Sequence, residues 1–476
     1  QNGKEISTIS IVPEHIIRDV SSHPIGMNLN FFMDGGRYPN ARHSVKEAMQ
    51  EMGMKFLRYP GGEKSDLYLF DLDNNGKPVI KFARKGPKLT QDYQEVLINS
   101  EKLKYPPLDF DEYIKMCRQI GAEPVVVVAA DRYLHDTDSE NTVTSKEELI
   151  KHAVKWVKYA NSLMLRLAMR ISYADETTAQ KYARQALNHT FGVMTSKSDE
   201  AQMSTGAGMV FRNNIEWLAN QYNECRMGSS MFSYLLGYQD PRLSAYFEAS
   251  PSAYAVAAFD GKNYQAVPPG NANQQNTIYT DFSKPNITSN TPTYWMRASE
   301  VYFLRAEAAL RWGSEFGDAE ALYEQGVATS FDENGISSSV DDYLASGLTP
   351  IAHNMRASYY SYNAAAPTTA TPAFSGGTEE KLEKIMIQKW IALYPNGHEA
   401  WTEWRRTGYP KLNQVQTNRG QGVTREGGIR RMVYPVSFYQ SAEDRANYEE
   451  ALKLLGGLDK DKATTQLWWD CKNQIY

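Results

Sequence analysis

The pattern of hydrophobic positions changes character part-way along the chain, near residues 155–163. Before that point, short apolar runs bounded by glycine or proline alternate with amphipathic segments, which predicts strands alternating with helices. After it, apolar residues recur at helical spacing over long segments, separated by aromatic loops rich in Asn, Thr and Pro. The two parts of the chain therefore predict different folds.

Three strand–helix pairs are predicted in the first 160 residues. The last strand of the three is a continuous β-branched run, of the kind that parallel sheets bury on both faces. A hairpin around Asp73–Gly76 interrupts the alternation, because Asn-Gly favours a tight turn. The predicted strands are Ile25–Phe32, Lys55–Tyr59 and Pro124–Ala130, and the predicted helices are Ala41–Met52, Phe110–Ile120 and Ser145–Tyr159.

This alternation is typical of a (βα)8 barrel. Its predicted elements include the stretches IGMNLNFF, FLRYPGG, PLDFDEYIKMCRQIGAEPVVVV and EELIKHAVKWVKYAN. Through these stretches residues 1–160 resemble the amino-terminal part of a clan-A glycoside hydrolase barrel of the agarase or porphyranase type. The resemblance implies that Asn28, Arg58 and Asp131, at the carboxyl ends of strands, line a sugar site. The alternative is that they are polar loop residues or caps.

The chain does not supply the catalytic pair that such a barrel needs. Glycoside hydrolysis requires two carboxyl groups about 5 to 9 Å apart across the scissile bond. The resemblance places these groups after strands four and seven, and the pattern shows no fourth strand after Asn161. We therefore predict no catalytic residues, and we predict that residues 1–160 form a partial, barrel-like segment.

From residue 161 onward the pattern predicts helical hairpins. The clearest unit runs from Met296 to Thr329, about 34 residues, which is the period of tetratricopeptide repeats. Asp318 is expected to cap its second helix, and small residues such as Gly326 lie where the two helices must approach closely. Two further hairpins pair Ser162–Ile171 with Thr178–Leu187, and Lys381–Leu393 with His398–Arg405.

Several long stretches of this second part, about residues 156–476, occur in a fixed order: ANSLMLRLAMRIS, GYQDPRLSAYF, YWMRASEVYFLRAEAALRWG, KIMIQKWIALYPNGHEAWTEWRRTGYP, RMVYPVSFY and TTQLWWD. Through these stretches the second part resembles the SusD/RagB family of Bacteroidetes outer-membrane glycan-binding lipoproteins. The resemblance implies a mainly α fold, a tetratricopeptide-like scaffold preceded by the partial β/α segment. It also implies cell-surface binding of a polysaccharide or oligosaccharide for a SusC-type TonB-dependent transporter.

Two departures from that family are visible. The family's own amino-terminal portion is replaced by the barrel-like segment, and no cysteine lies near Gln1, so we expect the lipid anchor to be absent or trimmed. The change of pattern falls inside KWVKYANSL, a helix that both families can use. It indicates either a fusion or a sequence joined across that stretch.

Composition excludes several other functions. The net charge is −5 and no Lys/Arg stripe occurs, which argues against nucleic acid as a partner. No apolar run approaches the roughly 20 residues that span a bilayer. The three cysteines include no CxxC and the eight histidines no HxxxH pair, so we predict no disulfide framework, metal or cofactor.

The best candidate for a sugar-binding surface is the long loop Phe259–Trp295, which combines aromatic rings with Asn and Gln side chains. Aromatic rings offer flat apolar faces to sugars, and amides pair with hydroxyl groups. The alternative is that the last two rings pack the start of the following helix. The predicted glycan-binding residues are Tyr264, Tyr279, Phe282, Tyr294 and Trp295.

Three other features are interpreted as structural. Trp401 and Trp404, three apart on a helix, are expected in a core or an interface. The pair Trp468–Trp469 is expected to fasten the carboxyl end to the scaffold. Glu399 and Glu403, one helical turn apart near two arginines, are interpreted as a solvated ion-pair face and not as an acid/base pair.

The leading hypothesis is a non-catalytic glycan-binding protein of the cell envelope. One alternative is a glycoside hydrolase, agarase- or porphyranase-like, acting on a marine or plant polysaccharide. Another is a scaffold that only docks the transporter through its helical repeats. The sequence does not identify the polysaccharide.

Overall fold

The computed structural model describes residues 26–29, 34–36, 38, 40–60, 68–72, 78–84, 94–97, 107–127, 146–204, 211–255, 257–270, 279–357, 360–424 and 427–472. The chain divides into two compact units, Gln1–Leu149 and Ile150–Tyr476. Asp131, one of the predicted sugar-site residues, and the turn Asp73–Gly76 lie outside the described residues.

The described residues of the first unit include a three-stranded parallel sheet and the helices α1 and α2. Strands β1 (Gly26–Asn28), β2 (Phe56–Tyr59) and β6 (Glu123–Val126) lie in the order β1–β2–β6. Helix α1 (Val45–Glu51) follows β1, and helix α2 (Phe110–Ile120) precedes β6. These are the predicted strand–helix pairs, with shorter strands.

Local sequence accounts for the ends of both helices. Ser44 and Glu47 form a capping box at the start of α1, and the Asp109 side chain accepts a hydrogen bond from the Glu112 amide at the start of α2. Gly121 ends α2 at φ 72°, a left-handed conformation that glycine adopts without strain.

The predicted burial of strand Pro124–Ala130 on both faces is wrong for the part that the structure describes. Val125 and Val126 in β6 are 39% and 40% exposed, and β6 pairs with β2 alone among the described strands. A run of valines is fully buried only where a complete barrel supplies a second neighbour and a covering helix layer. The described strands of this unit supply no second neighbour for β6.

The predicted hairpin is present and carries a third strand. Strand β3 (Tyr68–Leu72) pairs antiparallel with β4 (Pro78–Arg84), and β4 pairs with β5 (Gln94–Leu97), which the sequence pattern did not predict.

Helix α3 (Lys146–Arg170) opens the predominantly helical part of the chain, and the boundary between the two units falls within it. It is continuous where the sequence predicted one helix ending at Tyr159 and another beginning at Ser162. No glycine or proline occurs there, and the buried Asn161 side chain donates a hydrogen bond to the Gly192 carbonyl (2.7 Å) without disturbing the backbone.

In the part of the second unit that the structure describes, helices predominate and the strands pair as β7–β10, β8–β9 and β11–β12. Its helices after α3 are α4 (Glu176–Leu187), α5 (Asn214–Asn220), α6 (Ser229–Gly237), α7 (Leu243–Tyr246), α8 (Ala298–Trp312), α9 (Ala319–Glu333), α10 (Val340–Ala345), α11 (Thr378–Ala392), α12 (Gly397–Thr407) and α13 (Ala442–Leu454). Its strands are β7 (Ala201–Met203), β8 (Ala257–Phe259), β9 (Lys262–Tyr264), β10 (Thr293–Met296), β11 (His353–Ala357) and β12 (Tyr360–Ala364). Short 3₁₀ helices cover Lys197–Asp199, Ser314–Phe316, Val436–Tyr439 and Leu458–Lys460.

The predicted repeat unit is confirmed as the antiparallel pair α8–α9, against which α11 packs. The Asp318 side chain accepts a hydrogen bond from the Ala321 amide at the start of α9. A β-carbon built at Gly326 would lie 2.7 Å from the Phe303 ring, so glycine permits the close approach of the two helices. None of the described helices combines the length and apolar character that a membrane span requires.

Replacing Gly326 by valine is expected to destabilise the helical unit by about 1–3 kcal/mol, because the new side chain must displace the Phe303 ring in a packed core. The matched control is Gln325→Val, which introduces the same side chain at the neighbouring exposed position. Thermal unfolding of both variants measures the difference. Equal melting temperatures would contradict the close-approach explanation.

Candidate functional site

A cleft of about 450 Å³ opens on the helical unit, and four separate segments form its walls. Helix α3 contributes Tyr159 and Arg166, and the start of α5 contributes Asn213 and Ile215. Strand β10 and the first turn of α8 contribute residues 293–297 and Glu300. The end of α11 and its connection to α12 contribute residues 392–398.

Three aromatic side chains contact one another at this cleft: Tyr159 and Trp295 line it, and Trp156 borders it through its contacts with both. Trp295, on β10, is 41% exposed, and Trp156, on α3, is 48% exposed. Their ring centroids lie 6.4 Å apart, and the Tyr159 ring lies 6.5 Å from that of Trp295. The face follows from local structure, because Trp156 and Tyr159 are three apart on one side of α3. Flat rings of this kind stack on apolar ligand surfaces.

Arg297 supports a fourth ring, that of Tyr294. Its guanidinium carbon lies 4.3 Å from the centroid of the Tyr294 ring. The Nε atom donates to Glu200 (2.8 Å), and Glu333 lies 3.5 Å from the same nitrogen. Burial raises the pKa of Glu333 to about 7, although the positive charge of Arg297 acts to lower it. Glu333 also accepts hydrogen bonds from the amide and hydroxyl of Ser299, which fixes its position.

Arg166 and Glu300 form a bidentate ion pair in the cleft wall. The Nε and Nη2 atoms of Arg166 donate to the two carboxylate oxygens of Glu300, at 2.7 and 2.6 Å. Nη2 also donates to the Trp295 carbonyl (3.1 Å), which ties the aromatic strand to α3. Glu300 is the one carboxylate among the described residues of the lining.

Only two of the five predicted glycan-binding rings, Tyr294 and Trp295, lie in this cleft. Tyr264 is 1% exposed and packs in the main hydrophobic core, while Tyr279 and Phe282 are buried in a smaller cluster with Met355 and Tyr362. These three rings present no face to a ligand, which corrects the expectation of one five-ring surface. The loop uses them to fasten itself to the scaffold, a role that composition alone does not distinguish from ligand contact.

In the first unit, two of the three predicted sugar-site residues are described and lie side by side. Arg58 donates a hydrogen bond to the Asn28 side chain (3.3 Å) across β1 and β2. Both are at the carboxyl ends of their strands, as expected.

Comparison with known families identifies the helical part. The model of the SusD-like family, described as Susd and RagB outer membrane lipoprotein, matches residues 127–470.

The chain belongs to the SusD/RagB family.

Solved structures of other SusD-like proteins resemble the chain over similar lengths. A chitin-binding SusD homologue from Flavobacterium johnsoniae is 35% identical, with 68% of this chain and 65% of that one covered and a TM-score of 0.60. A SusD homologue from Bacteroides thetaiotaomicron is 34% identical, with coverages of 76% and 74% and a TM-score of 0.59. One from Bacteroides ovatus is 34% identical, with coverages of 76% and 72% and a TM-score of 0.61. The chain thus spans just under two thirds of the first of these structures.

A second family model matches the front of the chain. The alpha-L-arabinofuranosidase 1 domain matches residues 48–185 and overlaps the SusD-like match over residues 127–185, which include helix α3. This agrees with the glycoside hydrolase resemblance, although the matching domain is named for arabinofuranosidase and not for agarase or porphyranase. No curated protein matches the chain significantly.

The SusD-like scaffold holds a buried ionic network, which corrects the interpretation of Glu399 and Glu403 as a solvated face. Glu403 accepts hydrogen bonds from Lys389 (2.8 Å) and Arg406 (2.5 Å), and Arg406 also donates to Glu307 (2.6 Å). Arg170 pairs with Glu399. Burial alone would raise the pKa of Glu403, but Arg406, Lys389 and Arg170 hold it well below its ordinary value. These carboxylates join helices and do not face a ligand.

The predicted structural tryptophans behave differently from one another. Trp404 is buried, and the Trp401 indole donates to the Ile429 carbonyl (3.0 Å). The Trp469 ring contacts the guanidinium groups of both Arg170 and Arg405, as a fastening for the carboxyl end requires. Trp468, by contrast, is 71% exposed.

A Ser–His pair in this unit is structural. Ser229 Oγ lies 2.7 Å from His353 Nδ1, and the Gln265 side-chain oxygen accepts a hydrogen bond from His353 Nε2 (2.9 Å). All three residues are buried, and burial lowers the pKa of His353 to about 4. No cluster of acidic, His and Cys side chains suited to a metal ion occurs among the described residues.

Proposed function

We propose that the chain binds a polysaccharide or oligosaccharide at the cell surface without cleaving it, and that the cleft between α3, β10 and the α11–α12 connection is its binding site. The observation that carries the proposal is the aromatic face of Trp156, Tyr159 and Trp295 at an open cleft. Proteins bind sugars with aromatic rings and a few polar groups. The rings pack against the C–H surfaces of the sugar, and the polar groups form hydrogen bonds with its hydroxyl groups.

Polar groups suited to hydroxyls lie beside this face. Three of the lining residues carry such groups: Arg166 its Nη1 atom, Tyr294 its hydroxyl and His398 its ring. None of these groups makes a hydrogen bond within the described part of the chain. The chitin-binding homologue from Flavobacterium johnsoniae supports a glycan as the ligand class. Membership of a family of outer membrane lipoproteins supports a location at the outer membrane and hand-over to a SusC-type TonB-dependent transporter.

A hydrolase is the second candidate function, favoured by the arabinofuranosidase-domain match over residues 48–185. Hydrolysis needs two carboxyl groups about 5 to 9 Å apart across the bond. The cleft lining offers only Glu300 among its described residues, and Arg166 occupies both of its oxygens. In the first unit, the paired Asn28 and Arg58 fit a sugar-contacting role but do not supply an acid. Binding without turnover is therefore the better-supported function.

One experiment separates the candidates. The full chain is run in native gels containing agar, porphyran, arabinan or soluble chitin derivatives, and the same mixtures are assayed for new reducing ends. We expect at least one polysaccharide to retard the protein and none to be cleaved. Release of reducing ends would establish the hydrolase, whereas no retardation, together with co-purification with a transporter, would establish a docking scaffold that does not bind glycan.

A further inference from the structure

The cations of the cleft wall are already neutralised by carboxylates of the same chain. Arg166 is buried with Glu300 in the bidentate pair, and its Nε lies 4.0 Å from a second carboxylate, that of Glu399. Burial, and then the nearby Glu300 carboxylate, raise the pKa of Glu399, as expected where acidic groups crowd one arginine.

Arg297, the other arginine of the lining, is occupied on its edges and on one face. Its Nε donates a hydrogen bond to Glu200. Its Nη1 donates to the Asn334 side chain (3.4 Å) and its Nη2 to the Glu333 carbonyl (2.9 Å). The Tyr294 ring covers the guanidinium plane. The remaining basic side chain among the described lining residues is His398, which is exposed at the rim.

We infer that the cleft takes neutral glycans and discriminates against chains that carry uronate or sulfate groups. This rests on the proposed function. An anionic sugar entering the cleft would lose water and would find no cation without a carboxylate partner among the described lining residues. It would also meet the carboxylate of Glu300 in the lining, and those of Glu200 and Glu333 beside Arg297. Desolvating a charge without compensation is costly, and like charges across an interface suppress binding.

A neutral sugar can bind in the cleft without burying an uncompensated charge. Arg166 Nη1 keeps two N–H groups without a hydrogen-bond partner among the described residues, and hydroxyl oxygens accept from such donors without bringing a charge. The rings of Trp156, Tyr159 and Trp295 supply apolar contact that does not depend on ligand charge. The ion pairs thus hold the side chains of the cleft wall in place and also make the cleft prefer neutral sugars.

The test uses matched ligand pairs that differ only in charge. Oligosaccharides with uronic acids are compared with their carboxyl-reduced counterparts, and sulfated galactans with their desulfated forms, by calorimetry with the full chain. The measurements are repeated at about 0.05 M and 0.5 M NaCl, because the higher salt concentration screens surface charge more strongly.

We expect the neutral member of each bound pair to bind about tenfold tighter or more, with little dependence on salt. Tighter binding of the acidic member, weakened by salt, would overturn the inference while leaving glycan binding in place. If neither member of any pair binds, the proposed function fails and this inference fails with it.

A variant links the preference to the ion pairs. Glu300→Gln keeps the shape of the side chain and removes its charge from Arg166, so the ratio of the acidic member's affinity to the neutral member's is expected to rise about tenfold. Because Glu300 is buried, Glu200→Gln is made in parallel to remove one of the two carboxylates beside Arg297, and melting temperatures confirm folding. A folded variant that keeps the wild-type preference for the neutral ligand would contradict the role assigned to the ion pairs. Loss of packing alone would not change this preference, because it weakens the binding of both ligands equally.

Discussion

Replacing Arg406 by methionine is expected to destabilise the helical unit by about 3–5 kcal/mol, the usual result of removing one partner from a buried ion pair. Arg406 is fully buried, and its guanidinium joins Glu307 on α8 to Glu403 on α12. Without it, both carboxylates stay buried with fewer compensating charges. Hydrogen exchange of α8 and α12 in increasing urea measures the loss, because it reports the opening of these helices separately from the first unit.

The control removes an arginine from an exposed pair. Arg184 bonds to Glu315, and both side chains are largely exposed. Arg184→Met is expected to leave the urea midpoint of the same helices unchanged, because water replaces an exposed partner at little cost. If Arg406→Met were as mild as this control, the network would not hold the helices together.

Replacing Trp295 by alanine is expected to weaken glycan binding about 10- to 100-fold, since a large apolar side chain that a ligand covers contributes about 1.5–3 kcal/mol. Trp295 is the ring that Trp156 and Tyr159 both approach, so its loss also opens the face they share. Calorimetry with whichever oligosaccharide the wild-type chain binds measures the change.

Trp468→Ala serves as the matched control, because that indole is also exposed but does not line the cleft. It is expected to leave affinity at the wild-type value. Both variants are expected to melt as the wild type does, because neither side chain is buried. If Trp295→Ala bound the oligosaccharide with wild-type affinity, the binding site would not be in this cleft.

Local features of the sequence were enough to predict the α8–α9 hairpin. Helical spacing fixes which residues share a face, Asp318 caps its own helix, and Gly326 marks a close approach, so each signal lies within a few residues of its consequence. The placement of Tyr294 and Trp295 was predictable for the same reason, since both lie on β10, a few residues before α8.

Burial at long range was not predictable in this way. Tyr264 has the same local surroundings as an exposed loop aromatic, and only the packing of distant segments puts it in the core. Likewise, Glu403 lies beside Arg406 on one helix, which is typical of a solvated pair, but Lys389 and Glu307 come from other helices and enclose it. Trp156 and Tyr159 carried a usable signal, their spacing on α3, that the loop-centred prediction did not use.

The four-part construction of the cleft has a thermodynamic consequence. Its walls come from stretches that are distant along the chain, so the pocket exists only in the folded state, and anything that occupies it shifts the folding equilibrium. At a ligand concentration about 100 times its dissociation constant the shift is about 2.7 kcal/mol. Scanning calorimetry across a carbohydrate library can therefore identify the natural ligand from a raised melting temperature, with no immobilised probe and no prior guess about the sugar.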